Sequence, residues 1–349
     1  MKRKARLNDM TKSVRLTDIA EKMGVSVVTV SKALSGKKGV SEELRAKIRR
    51  TADEMGYRPV HALQPDKSKA YTVGVVAFER HFNKIASFYW KMYQELTIQA
   101  IKQNCFTMLE VVAILDEENL VPPKLFEEER VDGIIIIGKP EREYVKMLYQ
   151  NKKIPMVFLD FYDDELLVDS VISESFHGMY RMTEYLLQKG HEKIAFVGTV
   201  MYTESITDRY FGYCKALMEH GIEVRPEWVM DDRNTEDGCM GLPYKVALDT
   251  NDMPTAFVCN NDVTAYALIK QLKEEGFRVP EDISVAGYDD YLYAEFGDSK
   301  ITTYAVDIEK MTQRALQILI KRMLDCAMDA RVYAVSGRLI ERKTVKKLN

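Results

Sequence analysis

The sequence predicts an α/β chain: a small all-α helix-turn-helix domain followed by two doubly wound α/β lobes. In the first sixty positions apolar residues recur at helical spacing in three short segments. From residue 71 onward, short continuous apolar runs alternate with helix-length stretches. A chain of 349 residues, 46% of them hydrophobic, is also too long for one modest domain and can bury more than one core.

The helical head comes first. Its segments fall at roughly 16 to 23, 26 to 34 and 41 to 55. Gly24 ends the first and Ser26 can cap the second. Ser41, with Glu42 and Glu43, gives the third a cap and first-turn acids that suit the helix dipole, and Gly56 supplies the stop. Residues 58 to 70, RPVHALQPDKSKA, are polar and hold two prolines. The expected domains are therefore 1–58 for the head, 59–71 for a hinge or linker and 72–349 for the lobes.

The strands of the body are TVGVVAF (72–78), GIIIIG (133–138), PMVFLD (155–160), KIAFVG (193–198), TAFVCN (255–260) and ISVAGYD (283–289). Uninterrupted apolar strands between amphipathic helices imply parallel sheets covered on both faces. Six strands over about 230 residues exceed one economical sheet, which implies two lobes with a cleft, and ligands sit beyond the carboxyl ends of such strands.

Charge separates the two parts. Residues 1–60 hold 15 Lys and Arg against 7 Asp and Glu, a net +8, which leaves −11 for the rest. A basic head on an acidic body suits a polyanion partner for the head alone. The five cysteines are scattered and lack the close pairs of a metal or redox site, as in a reduced, cytoplasmic protein. The charged N-terminal stretch is followed by no apolar signal core, and no run approaches membrane-spanning length. A phosphate-cradling Gly-rich loop, a nucleophile with a base, and metal-ligand spacing among the five histidines are all absent from the sequence, so no catalytic residue, cofactor or metal is expected.

Within LTDIAEKMGVSVVTVSKAL (16–34), Ile19, Ala20, Val25, Val30 and Leu34 face inward while Gly24 takes the turn. Val27, Val28, Thr29 and Lys32 then lie on the exposed side and toward the start of the second helix, the part of such a motif that reaches base edges. The valines suit thymine methyls, and Ser26, Thr29, Ser31 and nearby basic residues suit phosphates.

The stretch LTDIAEKMGVSVVTVSKALSGKKGVSEELRAKIRRTADEMGYRP (16–59) resembles the DNA-binding head of the LacI/GalR repressors. GHEKIAFVG (190–198), DRYFGY (208–213), PTAFVCNND (254–262), VPEDISVAGYDD (279–290) and ITTY (301–304) stand in the order of that family's effector domain, so the resemblance covers nearly the whole chain. It implies lobes like those of periplasmic sugar-binding proteins, joined by three crossings near 171, 300 and 331. Lobe 1 would then take about 72–171 and 301–330, and lobe 2 about 172–300 and 331–349.

By position, Phe78, Asp160, Arg209, Asn261, Asp262 and Asp289 match the family's effector-lining residues. Carboxylates, an amide and an arginine at strand ends also suit hydroxyl-rich or otherwise polar ligands on chemical grounds. Each has a structural alternative: a salt bridge for Arg209, a cap for Asp289, core for Phe78. SFYW (87–90) could add a sugar-stacking ring. Thr17 and Leu63 complete the expected DNA-contact set. Leu63 is the available leucine for a minor-groove wedge, in a hinge where Val60, Pro65 and Asp66 depart from the family pattern.

The resemblance implies a homodimer on a pseudo-palindromic double-stranded operator, switched by a small-molecule effector. A carbohydrate is the first expectation, with a nucleobase or a protein partner as alternatives. A solute-binding protein would share the lobes but carry a signal peptide and lack the head.

Overall fold

The computed structural model describes residues 16–34, 39–55, 70–82, 88–127, 130–150, 154–233, 245–249, 251–291, 300–324 and 329–348. The chain divides into two units, Met1–Ser68 and Lys69–Asn349. Their boundary falls inside the stretch expected as a linker. Leu63 and the rest of the hinge lie outside the described residues.

The first unit holds α1 (Leu16–Met23), α2 (Val27–Leu34) and α3 (Glu42–Glu54). Ile19, Ala20, Val30, Ala33, Ile48 and Ala52 form its core, with Val25 and Leu34 packed against it. Gly24 adopts φ +65°, the left-handed conformation that lets Val25 N–H donate back to Ala20 O at 3.1 Å and end α1. Two residues later Ser26 Oγ accepts from Thr29 N–H at 3.1 Å and starts α2.

The second unit begins with a six-stranded sheet. Its first strands and covering helices are β1 (Tyr71–Phe78), α4 (Glu79–Phe82), α5 (Phe88–Lys102), β2 (Cys105–Val112), α6 (Ile114–Glu118), α7 (Lys124–Glu127), β3 (Gly133–Ile137), α8 (Arg142–Gln150), β4 (Met156–Leu159) and β5 (Asp169–Ser173). The chain then builds a second sheet from α9 (Ser175–Gln188), β6 (Ile194–Val197), α10 (Glu204–Glu219), β7 (Val229–Met230), β8 (Ala256–Cys259), α11 (Asp262–Glu274), β9 (Ser284–Asp289) and β10 (Thr302–Ala305). It returns through α12 (Ile308–Leu324) and β11 (Val332–Val335) to the first sheet, and ends with β12 (Arg338–Ile340) in the second.

The sheet orders are β11-β5-β4-β3-β1-β2 and β12-β10-β9-β8-β6-β7, parallel throughout except for the antiparallel β10–β12 pair.

Alternation along each strand feeds two cores, because successive side chains leave opposite faces of a sheet. Val73, Val75, Ile135, Ile137, Val157 and Leu159 pack under α5 and α12, whereas Val76, Ile134, Ile136 and Phe158 pack under α8. In the second lobe Ile194, Phe196 and Val258 meet α9 and α10, while Ala195, Val197 and Phe257 meet α11. Gly212 permits the close approach of α10 to α9: a Cβ there would sit 2.1 Å from Phe176 O.

The three crossings come later than expected. β5 runs to Ser173 in the first sheet, β10 pairs with β9 in the second, and β11 pairs with β5 before β12 joins β10. The chain therefore changes lobe after 173, after 305 and after 335 rather than near 171, 300 and 331. Hydrogen bonding decides the matter. Residues 302–305, TTYA, carry no pattern that favours one sheet, and only their pairing partner assigns them.

Candidate functional site

Two surfaces bear on function, one in each unit. In the head, Val27 and Val28 are 40% and 62% exposed at the start of α2, although the helix buries Val30 and Ala33 immediately beyond them. Thr17, Ser31 and Lys32 are also exposed. Ser26 and Thr29 are tied to each other, Oγ to Oγ1 at 2.9 Å, so the cap that starts α2 also holds both hydroxyls at its N-terminal end. Backbone N–H groups and the positive end of the helix dipole gather there too, a place suited to phosphate.

In the second unit, strand ends from both lobes meet. Asp160 follows β4 and Asp289 ends β9, and both adopt left-handed backbone, at φ +70° and +94°. An L-residue pays roughly 1 kcal/mol or more for this conformation, less for Asp, so the surrounding packing must impose it. Arg209, on the second turn of α10, lies nearly buried between them. Its Nη2 is 3.2 Å from Asp289 Oδ1, its Nη1 donates to Asn260 O at 2.5 Å, and its guanidinium covers the Tyr288 ring at 3.9 Å from the centroid. Its Nε is buried with no hydrogen-bond partner.

Across the cleft, the Tyr89 hydroxyl of α5 hydrogen-bonds Asp160. Burial, reinforced by Asp289 and opposed by Arg209, pushes the Asp160 carboxyl up to about 7. The Tyr89 ring leans on His81, with centroids 4.8 Å apart, and His81 Nε2 lies 3.1 Å from Lys139 O. Burial holds this imidazole down at about 4. Gly138, at φ +75°, makes room for it, since a Cβ there would meet His81 Cδ2 at 2.9 Å. Lys139 of lobe 1 forms an ion pair with Glu204 of lobe 2, and the Phe88 and Tyr291 rings meet edge-on with centroids 6.1 Å apart. The lobes are thus in contact along the cleft.

Arg209, Asp289 and Asp160 come together as expected. Three other expected residues have structural roles. Phe78 is fully buried in the core, edge-on to Tyr144, because its position in β1 points it to the α8 face. Asn261 caps α11, accepting from Thr264 N–H at 2.8 Å. Asp262 braces the turn after β9, accepting from Tyr291 N–H at 2.9 Å. Gly287 accommodates it, since a Cβ there would meet Asp262 Oδ1 at 2.0 Å.

Sequence reasoning missed Lys139, Glu204, Asp208 and Asn260. Lys139 stands just past a buried strand, and Glu204 and Asp208 precede Arg209 on one helix, so the strand-end rule and helical spacing were the available signals. Asn260 also belongs to a buried network. Asp232 accepts from Asn260 Nδ2 at 2.8 Å, from Thr199 N–H at 3.0 Å and from Arg233 through both oxygens. Burial disfavours the Asp232 charge, but these donors outweigh it and hold the carboxyl below its ordinary range.

Among the described residues no helix is long and apolar enough to cross a membrane, and no cluster of His, Cys, Asp and Glu could hold a metal ion.

Comparison with known proteins places these features in context. Residues 15–60 match the family described as bacterial regulatory proteins, lacI family, and residues 183–345 match the periplasmic binding protein-like domain. The chain is 30% identical over 343 residues to the HTH-type transcriptional repressor PurR of Pectobacterium carotovorum subsp. carotovorum (strain PC1), covering 95% of this chain and 96% of that one. The same-named repressor of Vibrio vulnificus (strain CMCP6) is 29% identical over 341 residues, covering 96% and 99%.

Among solved structures, the transcriptional regulator CelR-cellobiose complex superposes with a TM-score of 0.66 at 21% identity, covering 95% of this chain and 99% of the other. The lac repressor dimer bound to operator and the anti-inducer ONPF gives a TM-score of 0.62 at 22% identity, covering 96% and 100%.

Proposed function

The chain belongs to the LacI family of bacterial regulatory proteins, and from that premise we propose that a sugar or sugar derivative, held between its lobes, modulates its affinity for DNA. It is a DNA-binding transcriptional repressor under effector control, not an enzyme.

The observation that carries the carbohydrate reading is the Arg209–Asp289 pair facing Asp160 and Tyr89 across the cleft. A carboxylate beside a guanidinium offers acceptors and donors at the spacing of vicinal hydroxyls, and the Phe88 and Tyr291 rings supply apolar faces. Those rings also favour a second reading, a nucleobase held by stacking.

In the head, Val27 and Val28 read base edges while Thr17, Ser26, Thr29, Ser31 and Lys32 hold phosphates. The functional form is a homodimer, which places two such heads on a pseudo-palindromic operator. Its first support is the apolar rim of the first lobe: on the edge strand β2 and the adjoining α5, Phe106 is 65% and Ile101 67% exposed. An edge strand with such a rim is one that a soluble protein covers.

The test is fluorescence-polarisation titration of the full chain on selected operators, over a range of salt, with and without mono- and disaccharides and nucleobases. A steep salt slope and a sugar-dependent shift that Arg209→Ala abolishes support the reading. A shift given by a nucleobase alone moves the effector to the second reading. Sequence-specific binding unmoved by any compound overturns the carbohydrate proposal in favour of a protein partner.

A further inference from the structure

We propose that the effector carries no phosphate or carboxylate, and is a neutral or ammonium-bearing polyhydroxylated molecule. The inference rests on the cleft being the effector site.

Its ground is the state of the cations among the described residues of that site. Arg209 is bound to Asp289 and donates to Asn260 O, and Asp160 and Asp208 both lie close enough to act on its charge. Lys139 is taken by Glu204. Arg233, nearby in lobe 2, is held by both oxygens of Asp232. Three carboxylates, those of Glu204, Asp208 and Asp289, therefore stand against Arg209 and Lys139, and the Asp160 carboxyl, pushed up to about 7, adds a fourth as it ionises. The Tyr162 hydroxyl, at the same opening, feels Asp208, Asp164 and Glu204 together.

An anion entering this cleft would lose its water and meet cations whose charge is already matched. Such a transfer is unfavourable unless a counter-charge is supplied.

What the site does leave open is neutral hydrogen bonding. Arg209 Nε is buried and has no partner, so one donor at the site remains unfilled. The carboxylates offer acceptors beyond those that Arg209 and Tyr89 fill, since each can take up to about four hydrogen bonds. Hydroxyls complete both sets at once. An ammonium group would also offset the surplus negative charge, whereas a phosphate would add to it.

Isothermal titration calorimetry on the full chain tests this with matched sets. The probes are glucose, galactose, mannose and ribose, the 2-amino forms of the three hexoses, the 6-phosphates of the hexoses, ribose 5-phosphate, and cellobiose; adenosine and guanosine are set against their 5′-monophosphates. The tightest binder is expected to be neutral or amino-bearing, and to exceed its phosphorylated counterpart by at least about 100-fold, since a like charge at contact distance costs that much even when partly screened. Asp208→Asn, at a half-exposed position, and Asp160→Asn should each narrow the gap about tenfold.

A phosphorylated ligand that binds as well as its neutral counterpart, or better, would overturn the inference and leave the effector reading intact. Failure of every compound to bind would remove the effector reading itself, and this inference with it.

Discussion

Arg209 reaches Asp289 at 3.2 Å across the Tyr288 ring, joining the middle of a helix to the end of a strand over 80 residues of sequence. The pair is nearly buried, so removing one partner leaves a charge with poor access to water. Arg209→Ala is expected to lower the stability of the full chain by about 3 kcal/mol and to abolish the effector response. Operator binding in the absence of effector should persist. Urea denaturation and polarisation titration check the two halves separately.

Asp160 and His81 give the cleft a measurable dependence on pH. The Asp160 carboxyl stands at about 7 in the fold and about 4 in the unfolded chain, so the folded state holds the extra proton between those values. Its contribution therefore falls as pH rises from about 4 to about 7, and is level above. His81 does the opposite. Held neutral down to about 4, it costs stability as pH falls below its ordinary value of about 6.5. In Asp160→Asn the Asp160 slope no longer offsets that of His81, and stability is expected to decline on acidification more steeply than in the parent chain. An identical pH profile for the two proteins would contradict this assignment.

Ser26 has two roles that substitution can separate. Ser26→Ala removes the α2 cap and is expected to cost about 1 kcal/mol of head stability. Ser26→Asp keeps a capping oxygen but sets a negative charge where phosphate would lie. Operator affinity should then fall while the thermal midpoint of the head holds. Operator affinity unchanged in Ser26→Asp would place Ser26 outside the DNA contact.

Val28 is exposed and stands outside the head's core among the described residues. Val28→Ala should weaken the preferred operator about tenfold, within the usual cost of one lost base contact, while stability stays within about 0.5 kcal/mol of the parent. Lys32→Ala should weaken all DNA sequences alike and reduce the salt slope by about 1. Binding to an operator library at several salt concentrations distinguishes the two.

Gly212→Ala tests the α9–α10 contact. The new Cβ would fall on Phe176 O, a backbone atom that cannot rotate away, so the helices must part, at a cost of about 3 kcal/mol. Gly221→Ala is the contrast. Its Cβ would meet nothing within 4 Å, and its penalty comes from a backbone at φ +70° alone, about 1 kcal/mol.

Much of the fold was legible because apolar periodicity and local capping act over a few residues. The three head helices and the six buried strands fall where periodicity set them, to within a residue or two. Strands such as β2 and β5 were not legible: β2 is an edge strand with exposed Phe106 and Met108, and β5 carries buried Asp169 and Ser170. Neither gives a continuous apolar run. Position in the family pattern singled out Arg209, Asp160 and Asp289, which the fold brings together, and also Phe78, which it buries in the core, since such a pattern fixes a place on the strand and not the direction of the side chain.

The sequence by itself determined a basic helix-turn-helix head, an acidic body of two parallel sheets, and strand ends rich in polar groups. Each follows from composition or from spacing over one element. Only the tertiary structure decided that β10 belongs to the second sheet and β11 to the first, that the Tyr89–Asp160 pair of lobe 1 faces Arg209 across the cleft, and that Arg209 and Lys139 already have their carboxylates. Those outcomes depend on which distant segments share hydrogen bonds and burial, and interactions between residues far apart in the chain leave no period in the sequence to read.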